Sequence, residues 1–101
     1  MMNFTIIGHI GADAEVKDLG TNQVINFTVA VSETFTKNNE KQTQTTWFEC
    51  AKWGNNTQIA QYLKKGSQVY ISGKPNNRAY INNDGVAIAV NGINVMQIEL
   101  L

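Results

Sequence analysis

The sequence predicts an all-β protein with one domain. Runs of apolar and polar residues recur along the chain, and turn-forming Asn, Asp and Gly residues separate them. The length of 101 residues allows one hydrophobic core. A hydrophobic content of 43% is typical of a globular domain and too high for a disordered chain.

The first two predicted strands lie in the first third of the chain. Residues 3–10 (NFTIIGHI) are rich in β-forming residues, and Gly8 and Gly11 indicate a bend or a bulge. Residues 24–35 (VINFTVAVSETF) alternate with a period of two, which predicts a half-buried strand. The expected core face of this strand carries Ile25, Phe27, Val29 and Val31.

The middle of the chain continues this strand pattern after a polar segment. Residues 36–44 (TKNNEKQTQ) are polar throughout, so we expect a long exposed loop. Residues 45–53 (TTWFECAKW) form the third predicted strand, and residues 67–73 (SQVYISG) form the fourth. After residues 78–81, the tetrad NNDG predicts a tight hairpin turn, and residues 86–101 return as strand.

One segment between the third and fourth strands predicts a short α-helix. Residues 54–65 (GNNTQIAQYLKK) place three apolar side chains at i, i+3 and i+4, which forms one helical stripe. Asn55, Asn56 or Thr57 can cap the helix start, and Gly66 can end it. The stripe consists of Ile59, Tyr62 and Leu63. This order suits the OB-fold, a five-stranded Greek-key barrel.

The residue types do not indicate an enzyme or a metal protein. Cys50 is the only cysteine, which excludes an intrachain disulfide and a cysteine-based zinc site and predicts a small buried hydrophobe. His9 has no cysteine or carboxylate at ligand spacing beside it. The glycines form neither a phosphate-binding loop nor a dinucleotide fingerprint. We therefore expect no catalysis, no metal and no cofactor.

Charge and hydropathy give two further expectations. Eight Lys and Arg residues balance eight Asp and Glu residues, so net charge does not by itself indicate nucleic-acid binding. No apolar run approaches the roughly 18 residues of a membrane span. The N-terminus lacks the basic and apolar regions of a signal peptide, which predicts a cytoplasmic protein.

Two tryptophans stand out in the third predicted strand. Trp47 and Trp53 lie six residues apart, so both point to one face, together with Glu49 and Ala51. At roughly 3.3 Å per residue they are about 20 Å apart, which suits stacking of unpaired bases. Tryptophan is also commonly buried, so periodicity alone leaves both base stacking and core packing open.

Four motifs follow one another in a fixed order. Residues 3–16 read NFTIIGHIGADAEV, residues 26–30 read NFTVA, residues 46–48 read TWF and residues 62–73 read YLKKGSQVYISG. Together they resemble the motifs of bacterial single-stranded DNA-binding proteins, and the last motif is nearly that family's signature YLKKGSQVYIEG. The resemblance extends over most of the chain.

The resemblance implies one OB-fold domain over residues 1–101 that binds single-stranded DNA without sequence preference. Its roles would be DNA replication, recombination and repair, in the bacterial cytoplasm at the nucleoid. The implied base-stacking residues are Phe35, Trp47, Trp53 and Tyr80. The candidate phosphate contacts are Lys37, Lys52, Lys74 and Arg78. The family forms homotetramers. The resemblance implies that Phe48 and Tyr70 lie in the tetramer interface, with the Phe48 side chain pointing outward.

Several positions depart from the family pattern. Glu49 replaces a basic residue between the tryptophans, Asn55 replaces a lysine, and Asn76 and Ala79 replace basic residues, which predicts weaker DNA binding. The family usually continues into a flexible tail whose acidic tip recruits other proteins. This chain stops at Leu101 within a predicted strand, so we expect a natural short form or a trimmed domain without tail-mediated partners.

Two alternative functions fit the same residues. A dimeric primosomal replication protein is an OB-fold relative that also binds single strands, and the mass of the oligomer separates it from a tetramer. A protein-interaction module that has lost DNA binding would suit the neutral charge and Glu49. Quenching of tryptophan fluorescence by oligo(dT) separates that module from a DNA-binding protein.

Overall fold

A computed structural model describes residues 2–54 and 56–101, and these residues are predominantly β-structure, as the sequence predicts. The strands are β1 (Phe4–Ile10), β2 (Glu15–Asp18), β3 (Gln23–Lys37), β4 (Glu40–Trp53), β5 (Gln68–Pro75), β6 (Arg78–Ile81), β7 (Ala87–Val90) and β8 (Gly92–Leu100). A 3₁₀ helix spans Gln58–Tyr62.

Six of the strands form one closed sheet. Their order is β1-β5-β8-β4-β3-β2, and an additional pairing between β1 and β3 closes the first five into a barrel. β4 and β8 are parallel, whereas the other pairs in the barrel are antiparallel. β6 and β7 form a separate two-stranded sheet, the β6–β7 hairpin. The predicted five-stranded barrel is therefore confirmed.

The barrel interior is filled by the apolar face that the period-two pattern predicts. On β3, Ile25, Phe27 and Val29 are buried, and Val31 packs against them. Burying one such side chain contributes about 1.5–3 kcal/mol relative to leaving it exposed. The buried cluster consists of Ile10, Ile25, Phe27, Val29, Cys50, Leu63, Val69, Ile71, Ile93 and Val95.

Gly8 lies where β1 changes its pairing partner. β1 pairs with β5 from Phe4 to His9 in one continuous register, and it pairs with β3 at His9 and Ile10. A Cβ atom added to Gly8 would lie 2.4 Å from the carbonyl oxygen of Ala30. Glycine is needed here because the backbones of β1 and β3 approach closely where the barrel closes.

The long loop predicted over residues 36–44 is wrong. β3 continues to Lys37 and β4 begins at Glu40, so only Asn38 and Asn39 form the turn. Their φ angles are 54° and 63°, the left-handed values of a type I′ hairpin turn, which asparagine tolerates. Residues 32–45, the β3–β4 arm, are exposed on both faces. A strand without a buried face needs no apolar alternation, so its sequence resembles a loop.

The α-helix predicted over residues 54–65 is also wrong. Only Gln58–Tyr62 is helical, and the helix is of the 3₁₀ type. Five residues are too few to offset the cost of nucleating an α-helix. Thr57 at the N-cap makes no side-chain capping bond, although the backbone N–H of Gln58 donates to Asn56 Oδ1 at 3.3 Å. Asn55, the remaining candidate cap, lies outside the described residues.

The predicted apolar stripe of this segment is only partly buried. Leu63 is fully buried and Ile59 packs against the core, but Tyr62 is 57% exposed. A 3₁₀ helix has three residues per turn, so the i, i+3, i+4 stripe of an α-helix does not form. The helix end predicted at Gly66 is also wrong, because the helix ends at Tyr62 with Leu63 as its C-cap, and Gly66, with φ at 89°, lies in the turn that follows. Within the described residues, no helix has the length and apolar character needed to cross a bilayer.

Candidate nucleic-acid interface

Both tryptophans lie on the exterior of the barrel. Trp47 is 54% exposed and Trp53 is 51% exposed. Trp47 pairs with Ala30 across the sheet, whereas the adjacent Phe48 pairs with the buried Val29. The side chains of Trp47, Glu49, Ala51 and Trp53 therefore alternate with side chains that point inward. The exterior face of the sheet that carries these four residues, on β4 and the strands beside it, is the tryptophan face. Core packing, which periodicity left open, is excluded for both indole rings.

The ring of Trp47 lies over a glycine. A Cβ atom added to Gly11 would be 2.4 Å from Cζ3 and 3.0 Å from Cη2 of the Trp47 ring. The same point is 3.0 Å from Oγ1 of Thr28 on the neighbouring strand β3. The absent side chain at Gly11 therefore leaves a shallow seat that holds one edge of the ring against the barrel.

The strand register places one predicted phosphate contact on the tryptophan face. One row of paired residues runs across four strands from Asn26 on β3 through Ala51 on β4 and Asn94 on β8 to Lys74 on β5. Paired residues share a face, and neighbouring strands are about 4.8 Å apart. Lys74 therefore lies on the tryptophan face, about 10 Å from β4.

Arg78 forms an ion pair with Glu49 in the middle of this surface. Arg78 Nη2 donates a hydrogen bond to Glu49 Oε2, and both side chains are about half exposed. A Cβ atom added to Gly92 would be 3.5 Å from Arg78 Nη1, and Gly92 pairs with Glu49 across β4 and β8. The guanidinium group thus lies against the backbone of β8 beside the carboxylate. Sequence reasoning identified both residues and missed their pairing, because 29 positions separate them.

A cleft of about 510 Å³ opens beside this ion pair. Its volume lies within the range of small-ligand sites. Trp53 forms one wall, and amide side chains of three asparagines add hydrogen-bonding groups. The polar and charged lining residues that concern the site are Asp13, Glu15, Asn26, Glu49, Asn76, Arg78 and Asn94. Three carboxylates and one guanidinium make this lining acidic.

The other two predicted stacking residues lie on projecting hairpins. Phe35 is 42% exposed on the β3–β4 arm, and Tyr80 is 54% exposed on the β6–β7 hairpin. Strand parity would place Phe35 with the core face of β3, but the arm extends past the barrel and exposes both faces. Tyr80 shares its hairpin face with Arg78, two residues away. The four aromatic residues thus lie on three structural elements. Of the four, Trp47 and Trp53 lie on the tryptophan face.

The remaining predicted cations lie at separate places. Lys37 is exposed at the tip of the β3–β4 arm, next to the turn. Lys52 pairs with Ile25 and lies beside the 3₁₀ helix, lining a small cavity with Gln58 and Ile59. Adjacent residues in a strand point to opposite faces, so Lys52 does not share the tryptophan face.

The two predicted interface residues lie on opposite sides of the sheet. Phe48 is half-buried, packs against the core and meets Phe4 edge to face, with ring centroids 6.4 Å apart. The outward orientation expected for Phe48 is therefore wrong, because its register partner Val29 faces the interior. Tyr70 is half-buried on the exterior of β5, opposite Ile7, which is 51% exposed.

Cys50 behaves as the small buried hydrophobe that the sequence predicts. It is 3% exposed within the core. Burial raises the pKa of its thiol from 9.0 to about 12, because the thiolate would lose its hydration. A thiol with that pKa is not a nucleophile at neutral pH. Among residues 2–54 and 56–101, no group of three or more His, Cys, Asp or Glu side chains is arranged to hold a metal ion.

A five-stranded barrel with this strand order is the architecture of the OB-fold class. The sequence profile of the Single-strand binding protein family matches residues 1–101. The chain therefore belongs to the Single-strand binding protein family.

Curated relatives agree with this membership. Single-stranded DNA-binding protein 1 of Chlorobaculum tepidum is 42% identical over 81 residues, which are 77% of this chain and 50% of the relative. The single-stranded DNA-binding protein of Neisseria meningitidis is 37% identical over 84 residues, which are 80% of this chain and 48% of the relative. The chain thus spans about half the length of these relatives.

Two solved structures share the fold over nearly the whole chain. The single-stranded DNA-binding protein of Plasmodium falciparum, in a complex with single-stranded DNA, superposes with a TM-score of 0.83 at 24% identity, covering 100% of this chain and 95% of that one. The small single-stranded DNA-binding protein of Streptomyces coelicolor superposes with a TM-score of 0.84 at 17% identity, covering 98% and 93%.

Proposed function

We propose that this chain binds single-stranded DNA without sequence preference and has no catalytic activity. The observation that carries the proposal is the pair of half-exposed indole rings, Trp47 and Trp53, on one exterior face of the barrel. The relatives named as single-stranded DNA-binding proteins support the same ligand. The cellular roles that follow are protection of unpaired DNA during replication, recombination and repair, in the bacterial cytoplasm.

Base stacking supplies most of the binding energy in this proposal. Stacking a base on an aromatic side chain contributes about 1–3 kcal/mol and accepts any base, because every base has a π-face. The Trp47 ring is already held over Gly11, so little side-chain freedom is lost when a base stacks on it. Phe35 on the arm and Tyr80 on the β6–β7 hairpin extend the stacking surface beyond the barrel.

Charge makes a smaller contribution. The chain has no net charge, Arg78 is paired with Glu49, and Lys74 is the predicted cation that shares the tryptophan face. Each phosphate neutralised in a single strand contributes about −0.7 to the slope of log affinity against log salt. A strand held by few cations therefore binds with a shallow salt dependence.

Fluorescence titration with a short oligo(dT) tests the proposal. Binding should quench the emission of Trp47 and Trp53. Trp47→Ala and Trp53→Ala should each weaken binding by about 1–3 kcal/mol, or about 5–150-fold. Tyr62→Ala is the matched control, since Tyr62 is an equally exposed aromatic on the 3₁₀ helix. An unmodified protein that neither binds nor is quenched by oligo(dT) would contradict the proposal and favour a protein-interaction module.

Assembly into a homotetramer is the second part of the proposal. Tyr70 and the exposed Ile7 form an apolar area on the exterior of β1 and β5, away from the core. Burying an exposed apolar area of this kind against a second copy of the chain is favourable. Phe48 would act indirectly, by fixing Phe4 at the start of β1. Light scattering separates a tetramer from the dimer of a primosomal-type relative.

A further inference from the structure

The ion pair of Glu49 and Arg78 lies between the two tryptophans. Glu49 is two residues from Trp47 and four residues from Trp53, and all three side chains share the tryptophan face. A single strand stacked on both rings must span about 20 Å along β4. Its sugar-phosphate backbone therefore passes the ion pair.

The chemistry of Arg78 suits two partners equally well. A guanidinium group recognises carboxylate and phosphate oxygens with the same planar set of N–H donors. Glu49 Oε2 accepts from Arg78 Nη2 and so fills a place that a phosphate oxygen would take. We propose that Glu49 is a built-in competitor of DNA at Arg78, so that binding exchanges a carboxylate for a phosphate. The inference rests on the proposed function, because it requires a strand on the tryptophan face.

The surroundings make this exchange feasible and consequential. Both side chains are about half exposed, and exposed ion pairs are weak, so a phosphate can displace the carboxylate. Among the cleft-lining residues that the structure describes, which also include Asp13 and Glu15, Arg78 is the one cation. Asp13 is held by Lys64 Nζ at 3.8 Å and accepts from the backbone N–H of Lys65 at 2.9 Å. A phosphate entering this acidic lining therefore depends on Arg78.

A purely structural role of the pair predicts the opposite result. Arg78 is the first residue of β6, and the backbone N–H of Asn76 donates to the carbonyl of Gly92 at 2.7 Å close by. The pair could thus tether the β6–β7 hairpin, which carries Tyr80, to the barrel. If tethering were its role, removing the Glu49 carboxylate would loosen Tyr80 and weaken DNA binding. Competition predicts that the same change strengthens binding.

A double-mutant cycle on the full chain tests the competition. Oligo(dT) affinity is measured by tryptophan quenching for the unmodified protein, E49Q, R78Q and E49Q/R78Q. E49Q should bind more tightly, and its gain should be about 2–5-fold larger with Arg78 present than in the R78Q background, because exposed ion pairs have coupling energies of that size. The salt slope of E49Q should steepen by up to about 0.7, since Arg78 then neutralises a phosphate without releasing a carboxylate that takes up a cation.

E33Q is the charge-matched control. Glu33 is exposed on the β3–β4 arm opposite Gln44, so its removal changes the net charge equally without freeing Arg78. The inference would be overturned if E49Q gained the same affinity in both backgrounds, or if E33Q gained as much affinity as E49Q. Glu49 would then act only by repelling the charge of the DNA. Weaker binding by E49Q would assign a tether instead. Absence of binding by the unmodified protein would overturn the proposed function itself, whereas normal binding without coupling would overturn only the exchange. Thermal unfolding checks that each variant is folded. E49A removes the same carboxylate and should give the same direction of change in affinity as E49Q.

Discussion

The seat of Trp47 on Gly11 can be removed by one methyl group. In Gly11→Ala the new Cβ would lie 2.4 Å from Cζ3 and 3.0 Å from Cη2 of the indole. Ordinary carbon contacts are about 3.5–4.0 Å, so the ring has to move by more than about 1 Å. The indole is the exposed end of a side chain, and rotation about its own torsions relieves the clash. Gly11 lacks a positive φ, so its backbone accepts alanine.

The expected loss follows from what the moved ring can no longer do. A ring displaced from its seat forfeits part or all of the stacking energy of Trp47, which is about 1–3 kcal/mol. Gly11→Ala should therefore weaken oligo(dT) binding by up to the loss in Trp47→Ala, about 5–150-fold. The free energy of unfolding should change by less than about 1 kcal/mol, because the clash lies at the surface and not in the core.

Titration in two backgrounds identifies the cause. Trp53→Phe leaves Trp47 as the one tryptophan, so the emission spectrum of Gly11→Ala in that background reports the ring directly, and it should shift as the ring moves. In the Trp47→Ala background, Gly11→Ala should have no further effect on affinity. An equal loss of affinity with and without Trp47 would refute the reasoning, because the methyl group would then act on the barrel and not on the ring.

Other parts of the molecule give further predictions. Because burial raises the pKa of Cys50 from 9.0 to about 12, the unfolded thiol ionises first: stability is intact below pH 9 and falls as the pH rises from 9 to 12. Urea titrations should show this decline flattened in Cys50→Ala. Phe48→Ala should lower the free energy of unfolding by about 2–3 kcal/mol, since Phe48 packs on the core. Tyr70→Arg should preserve the fold and reduce the oligomer mass in light scattering; the reverse pattern for these two variants would contradict their assignments.

The sequence predicts best where a residue's environment follows from its neighbours along the chain. Alternation in β3 identified Ile25, Phe27 and Val29 as core, and the spacing of Trp47 and Trp53 placed both on one face. These predictions succeed because strand geometry fixes side-chain direction with a period of two. The exposure of the tryptophan face could not be predicted this way, because either face of a strand can be the buried one.

The failures share a different physical origin. The β3–β4 arm is stabilised by backbone hydrogen bonds between polar residues, so no apolar pattern marks it. The segment at 58–62 has helical spacing but lacks the length for an α-helix. The contact between Glu49 and Arg78 depends on how the β6–β7 hairpin approaches β4, a tertiary fact with no local signal. The outward orientation expected for Phe48 is wrong because it follows from the resemblance and not from strand parity, which points Phe48 away from the face of Trp47.

The closed barrel also has an uneven distribution of pairing. β3 and β4 pair over residues 24–37 and 40–53, and β5 pairs along most of its length with both β1 and β8. Between these two blocks, β1 meets β3 at two residue pairs and β4 meets β8 at three. Local opening costs least where the fewest bonds break, so amide hydrogen exchange should be fastest along these two seams. The tryptophan face crosses the seam between β4 and β8. A DNA strand bound there would contact both blocks and slow amide hydrogen exchange on each side of the seam. The bound DNA would therefore stabilise the closed barrel.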